Sequence, residues 1–248
     1  MRYYMGPEEW APTAKDIDAA GHERVDSLAE AEVFVNTSSD PAAVPYLPEN
    51  IQWVQYCFTG VNHLIDAGII RSGGVPWCNS AGAFAKPVAE SALGLLLSQA
   101  HHHKAFALAK TWDVAHELDQ SQAWLYDQQG PKRVVIVGAG GIGKQLMAYL
   151  KPFGVHITAV NRSGRTVEGA DVTLPIERAS KVWGEADFVV SILPATAATE
   201  HFFDAELFRA MKDSAVFVNV GRGSTVVTDD LVQALREGQI AGAGLEVM

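Results

Sequence analysis

The sequence predicts an α/β protein built from two doubly wound domains, each a parallel sheet covered by helices on both faces. Three observations predict it. Short aliphatic runs alternate with amphipathic segments along most of the 248 residues. Several runs are almost unbroken apolar stretches, as strands buried on both faces must be. The strand–helix alternation also restarts at Arg133, after a long segment rich in Ala and Leu.

Taken in order, Met1–Met5, Glu32–Asn36, Ile51–Cys57 and Val75–Asn79 read as strands, separated by turn signals at Asp40-Pro41, Thr59-Gly60 and Gly73-Gly74. Glu8–Ala20 reads as a helix between the first two. Lys86–Lys110 reads as one long helix with Pro87 in its first turn, where proline is tolerated. Trp112–Gly130 is more polar and less periodic. A second strand series follows: Val134–Val137, Val155–Val160, Asp187–Leu193, Ala215–Asn219 and Ile240–Val247. Asp229 and Asp230 mark a helix start before Leu231, where the helix dipole favours carboxylates. The domain boundary is expected near the long helix, giving units 1–90 and 91–248.

Composition narrows the function. With 48% apolar and 19% charged residues the chain is globular, neither disordered, collagen-like nor coiled-coil. Nineteen basic against 29 acidic side chains give a net charge of −10, with no Lys/Arg-rich stretch, so no nucleic-acid partner is expected. MRYYMGPEEW lacks the apolar run of a signal peptide, and the aliphatic stretch around Leu93–Leu97 is far too short to span a membrane. Cys57 and Cys78 alone make no disulfide framework. A soluble cytoplasmic protein is the expectation.

Val134-Val-Ile-Val-Gly-Ala-Gly-Gly-Ile-Gly143 places Gly138, Gly140 and Gly143 in a GxGxxG pattern, with Gly141 and Ile142 inside it. A strand precedes the pattern, and an amphipathic helix over Ile142–Leu150 follows it. In a dinucleotide loop the first glycine permits the turn, the second lets backbone approach a pyrophosphate, and the third lets helix and strand pack closely. The helix N-terminus adds N–H groups and partial positive charge. The bland alternative is a glycine turn with no ligand. An acidic residue about 20 positions on would bind the ribose 2′-OH of NAD. Asn161 stands 18 residues after Gly143, followed by Arg162, Ser163 and Arg165. Two guanidiniums and a hydroxyl without a carboxylate suit a 2′-phosphate, so NADP is favoured over NAD. An ordinary solvated turn is the alternative. The loop from Leu193 and Pro194 to Thr199 follows a strand end and is expected to face the cofactor.

With Thr59-Gly-Val-Asn-His63, Val88-Ala-Glu-Ser91, the glycine loop, Leu193-Pro-Ala-Thr196, Phe217-Val-Asn-Val-Gly-Arg-Gly223 and Ala241-Gly-Ala-Gly-Leu-Glu-Val247, the chain resembles the D-isomer-specific 2-hydroxyacid dehydrogenases. The resemblance implies two Rossmann-like or flavodoxin-like domains: a smaller substrate-binding domain and an NAD(P)-binding Rossmann domain. It implies hydride transfer between nicotinamide and C2 of a small 2-keto or 2-hydroxy acid, such as glyoxylate or hydroxypyruvate. By the same resemblance Arg222 holds the substrate carboxylate, which suits its planar fork, and the backbone of Thr59, Gly60 and Val61 cradles that carboxylate. Val220 and Gly221 line the nicotinamide side, and Glu246 replaces an Asp that contacts the carboxamide. A solvent-facing loop arginine is the bland reading of Arg222.

The family's acid–base His and its partner Glu would match positions beyond Met248, so residues 1–248 alone are expected to be catalytically inactive. A non-catalytic dinucleotide-binding regulator of the same fold is the alternative. His63 reads as a local structural residue. His101-His-His103 reads as internal and helical, with side chains that diverge, so no metal is expected. A homodimer is expected, with the helix over Ala89–Ala100 as candidate interface or, equally, as an internal core helix.

Overall fold

Five parallel strands make the sheet of Met1–Ala83, one of two units in the computed structural model, which describes residues 1–126 and 130–248. In chain order this unit contains β1 (Arg2–Gly6), α1 (Ala11–Ala19), β2 (Glu23–Arg24), β3 (Val33–Asn36), β4 (Trp53–Tyr56), α2 (Asn62–Asp66) and β5 (Trp77–Cys78). The strand order is β2-β1-β3-β4-β5, that of flavodoxin-like sheets. All four residues of β3 are buried because successive side chains enter two different cores. Val33 and Val35 pack with Tyr3, Met5 and Ala14, and Phe34 packs with Ile51 and Val54.

Phe84–Met248 form the second unit. It contains α3 (Ala85–Ala100), α4 (His103–Ala109), α5 (Ala115–Gln120), β6 (Arg133–Val137), α6 (Gly141–Leu150), β7 (His156–Asn161), β8 (Val172–Pro175), α7 (Ser180–Trp183), β9 (Phe188–Ser191), α8 (Ala205–Ala210), β10 (Val216–Asn219), α9 (Thr228–Arg236) and β11 (Gly242–Leu245). Its six parallel strands run β11-β10-β9-β6-β7-β8, the order of dinucleotide-binding sheets. One face of the sheet packs Val134, Ile136, Val190 and Val218 against α3 and α6. The other packs Val135, Val189 and Phe217 against Phe208 of α8 and Leu231 of α9. The two α/β sheets agree with the predicted fold class.

Three details differ from the sequence reading. The contact division falls at Ala83/Phe84 rather than at residue 90, because α3 belongs whole to the second core through Ala89, Ala92, Leu96 and Ala100. That burial of Ala89, Ala92, Leu96 and Ala100 accords with the internal-core alternative for this helix. The single helix over Lys86–Lys110 is two, broken where His102 takes the left-handed conformation (φ 54°) and its ring reaches the Ser121 carbonyl at 3.0 Å. Rings of His101 and His103 stack across the break, 5.8 Å apart. Finally, β2 and β8 were not predicted. Both are edge strands, and β2 exposes both of its residues, so neither carries an apolar pattern. Residues 127–129, within the polar stretch from Trp112, lie outside the described residues. Among the described residues no helix is long and apolar enough to cross a membrane.

Candidate functional site

The strand order of the second unit reverses between β6 and β9, and in such sheets ligands bind beyond the carboxyl ends of the strands at that point. Three loops meet there. Gly138 ends β6 at φ +102°, donates its N–H to the Val160 carbonyl at 3.0 Å, and lies against the loop after β9. A Cβ on Gly138 would stand 2.7 Å from the Ile192 oxygen. Gly221, in the loop after β10, approaches the same loop from the other side: its Cβ would stand 2.5 Å from the Leu193 oxygen. Gly143 has no room either, 2.6 Å from the Gly138 oxygen, so the first and third glycines of the motif are demanded by the chain's own packing.

Gly140 differs. It precedes α6 in an extended conformation (φ −79°, ψ −155°), and a Cβ there would meet nothing within 4 Å. Internal packing does not require a glycine at 140, whereas a group approaching from outside would. Behind it, α6 has no side-chain cap and no acid in its first turn. The N–H groups of Gly141, Ile142 and Gly143 therefore face the loop without intrahelical acceptors. The arrangement fits a bound pyrophosphate.

At the end of β7, Asn161 is half-buried while Arg162, Ser163 and Arg165 are exposed. Neither arginine side chain has a hydrogen bond or ion pair among the described residues. Asn161 spends its carboxamide on the loop backbone, which the sequence did not foretell. After β9, Leu193 is buried and Pro194 exposed. Thr199 is a staple within this loop: its hydroxyl donates to the Pro194 carbonyl at 2.5 Å and accepts from Thr196 N–H at 2.9 Å.

Arg222 is exposed and extended, with Nη1 donating to the Gly221 carbonyl at 2.7 Å. Its placement rests on Asn219, which is 1% exposed and which the sequence reading passed over. Asn219 Oδ1 accepts from Gly221 N–H at 3.1 Å and its Nδ2 donates to the Arg222 carbonyl at 3.1 Å. Thr225 Oγ1 donates to the same carbonyl at 2.7 Å. The available signal was a polar residue closing an otherwise apolar strand. Val220 is buried, its N–H on the Ser191 carbonyl at 3.0 Å. Glu246 is exposed just past β11, its backbone N–H on the Asn219 carbonyl at 3.0 Å.

In the first unit, Thr59, Gly60 and Val61 follow β4 and enter α2. Asn79 Nδ2 donates to the Thr59 carbonyl at 2.8 Å, and the Val61 carbonyl accepts from Leu64 and Ile65 N–H. His63 Nε2 sits 3.2 Å from the Tyr56 hydroxyl. Burial raises the Tyr56 phenol above its ordinary value, so it stays neutral and can donate to the ring. His63 thus contacts a neighbouring strand residue of its own unit. The structure brings Gly138, Leu193 and Gly221 into contact, whereas Asn161–Arg165 and Thr59–Val61 each stand in a loop of their own.

Comparison with known proteins agrees with this geometry. Residues 93–248 match the model of the D-isomer specific 2-hydroxyacid dehydrogenase NAD binding domain. The whole chain is 47% identical over 247 residues to the "Uncharacterized protein in proB 3'region" of Corynebacterium melassecola, spanning 80% of it. It is 40% identical over 115 residues to the glyoxylate reductase/hydroxypyruvate reductase of Homo sapiens, covering 46% of this chain and 35% of that one. It is 32% identical over 187 residues to the glyoxylate reductase of Pyrococcus horikoshii, covering 74% of this chain and 56% of that one. The chain therefore spans about a third to about half of the length of these named reductases. A D-isomer specific 2-hydroxyacid dehydrogenase family protein from Aeromonas salmonicida superposes with a TM-score of 0.79 at 28% identity, covering 100% of this chain and 81% of that one. The chain belongs to the D-isomer-specific 2-hydroxyacid dehydrogenase family, and its second unit carries that family's NAD-binding domain.

Proposed function

We propose that the protein is an NADP(H)-preferring oxidoreductase that moves a hydride between the nicotinamide and C2 of a small D-2-hydroxy or 2-keto acid, with glyoxylate and hydroxypyruvate as the first substrates to test. The observation that carries it is the three-loop crevice at the β6/β9 reversal, with open space over Gly140 and uncapped N–H groups behind it. The named reductases among the relatives support the substrate class.

A bound nicotinamide dinucleotide would supply the hydride carrier. Within this reading the backbone N–H groups of Gly140, Gly141, Ile142 and Gly143 would hold the pyrophosphate, and Gly138, whose N–H is on the Val160 carbonyl, turns the chain into that loop. Arg162 and Arg165 pair with a 2′-phosphate, assisted by Ser163. Leu193, Pro194, Val220 and Gly221 form the wall beneath the nicotinamide, Thr199 keeps that wall in shape, and Glu246 meets the carboxamide. Arg222, always charged, would hold the substrate carboxylate and polarise the keto oxygen, and Thr59, Gly60 and Val61 would form the substrate loop of the first unit. A homodimer belongs to this reading too. The exposed Leu108, Trp112, Trp124 and Tyr126 offer it an apolar surface, and a cytoplasmic setting suits the two free cysteines.

The test is direct: titrate NADPH and NADH by nicotinamide fluorescence, then follow NADPH oxidation with glyoxylate and hydroxypyruvate in the full-length protein and in Arg222→Ala. Tighter NADPH binding and keto-acid turnover that Arg222→Ala abolishes are expected. Equal or tighter NADH binding overturns the cofactor preference, and no turnover with any 2-keto acid overturns the activity. Sedimentation at micromolar concentration tests the dimer, which a strictly monomeric profile excludes.

A further inference from the structure

Asn161 closes β7 at the position where an acidic residue would read a ribose hydroxyl. Its polar atoms face the chain itself. Oδ1 accepts from Gly164 N–H at 2.6 Å and from Ser163 N–H at 3.1 Å, while Nδ2 donates to the Arg165 carbonyl at 2.8 Å. Ser163 Oγ accepts from Arg165 N–H at 3.3 Å and closes the ring of contacts. One carboxamide thus ties down three successive residues of the turn. A second constraint comes from outside it. Gly164 has φ +67°, and a Cβ there would stand 2.9 Å from Pro175 Cδ at the end of β8. The turn is held by Asn161 on one side and by a glycine-only contact on the other.

The two cations on this turn have no partner of their own among the described residues. Three other cations have carboxylate partners: Arg24 with Glu9, Arg133 with Glu185 at 3.1 Å, and Lys212 with Asp187 at 2.9 Å. In a chain of net charge −10, two guanidiniums carried within four residues on a turn whose backbone is held are suited to receive an anion together.

We propose that Asn161 is the positioning residue of a 2′-phosphate pocket, its carboxamide folding the turn so that Arg162 and Arg165 receive the phosphate together. The inference rests on the reading of this turn as the adenosine end of the cofactor site. It differs from simple removal of a repulsive carboxylate. Were lack of charge all that matters, alanine at 161 would serve as well as asparagine. Because the donor to the Arg165 carbonyl also matters, alanine fails, and aspartate fails further by setting two oxygens against each other.

The test uses the full chain and two cofactor fragments, adenosine 2′,5′-bisphosphate and AMP, measured by titration calorimetry. Charge-assisted contacts carry the difference, so Asn161→Ala is expected to weaken the bisphosphate by about tenfold or more while AMP stays within about twofold. Asn161→Asp should lose more. Gly164→Ala, which disturbs the turn from the Pro175 side, should reproduce the selective loss. Bisphosphate affinity unchanged in Asn161→Ala overturns the proposal, and so does an equal loss of both fragments, which would mark a general structural role. Arg162→Ala with Arg165→Ala separates the two levels. If the double variant keeps the bisphosphate preference, the cofactor reading itself fails. If it loses that preference while Asn161→Ala does not, only the role of Asn161 fails.

Discussion

Gly221 and Leu193 meet backbone to backbone: a Cβ on Gly221 would stand 2.5 Å from the Leu193 oxygen and 2.7 Å from its nitrogen. Gly138 closes on the preceding residue, Ile192, from the opposite side. The loop after β9 is therefore packed between two glycines, one after each of the strands that flank β9.

Gly221→Ala is expected to force this contact apart. Overpacking of this kind costs about 1–3 kcal/mol, and each kcal/mol lowers the melting temperature of a domain this size by about 2–4 °C. Thermal unfolding followed by circular dichroism checks it, and weaker NADPH binding should accompany the lower transition. An unchanged melting temperature would mean that the loops separate freely.

Gly140→Ala should behave in the opposite way. The new methyl meets no protein atom, so stability should change by less than about 1 kcal/mol. A dinucleotide pressed against that backbone would meet the methyl, and affinity should fall about tenfold or more. Melting and NADPH titration on one sample give both numbers. Unchanged affinity would place the pyrophosphate elsewhere.

Asn219→Ala removes two of the contacts that hold the Arg222 loop, leaving the buried Gly221 N–H without its partner while the Arg222 carbonyl keeps the Thr225 hydroxyl. A loss of about 1–3 kcal/mol is expected. Because Arg222 is the group assigned to the substrate carboxylate, the KM for the keto acid should rise more than the Kd for NADPH. Steady-state kinetics beside cofactor titration separate the two, and an unmoved KM would detach Asn219 from Arg222.

What the sequence made legible follows burial. Strands such as Val134–Val137 and Val216–Asn219 are covered on both faces, so they read as unbroken apolar runs and fix the second sheet. Glu23–Arg24 and Val172–Pro175 lie at sheet edges, where one partner strand suffices and no pattern is imposed. The break at His102 was hidden because its cause, a ring reaching the Ser121 carbonyl, lies 19 residues away. The glycine motif was legible as spacing, yet only the packing around each glycine separates Gly138 and Gly143, which the fold requires, from Gly140, which it does not. Asn161 and Asn219 act through contacts of their side chains with nearby backbone. Such contacts depend on the path of a turn rather than on periodicity, and residue identity alone pointed Asn161 to the ligand instead.

The first unit offers a prediction independent of any ligand. Tyr3 is 2% exposed, and its hydroxyl donates to Asp18 Oδ1 at 2.9 Å and lies 3.2 Å from the Ala14 carbonyl, tying β1 to α1. Burial, then the hydrogen bond to Asp18 and its charge, push the phenol up from 10.0 to about 12, against a smaller opposing pull from Arg24. A raised folded-state value favours the protonated form on folding. The contribution is therefore whole below pH 10 and is lost as the pH rises through about 12. Tyr3→Phe deletes the hydroxyl and with it this titration. At pH 8 the variant should be less stable by about 1 kcal/mol, the typical net worth of a hydrogen bond. Between pH 10 and about 12 the wild-type curve should fall towards that of the variant. Urea midpoints from pH 8 upward measure the gap, and a gap that stays constant across that interval would show that the Tyr3 hydroxyl is not the titrating group.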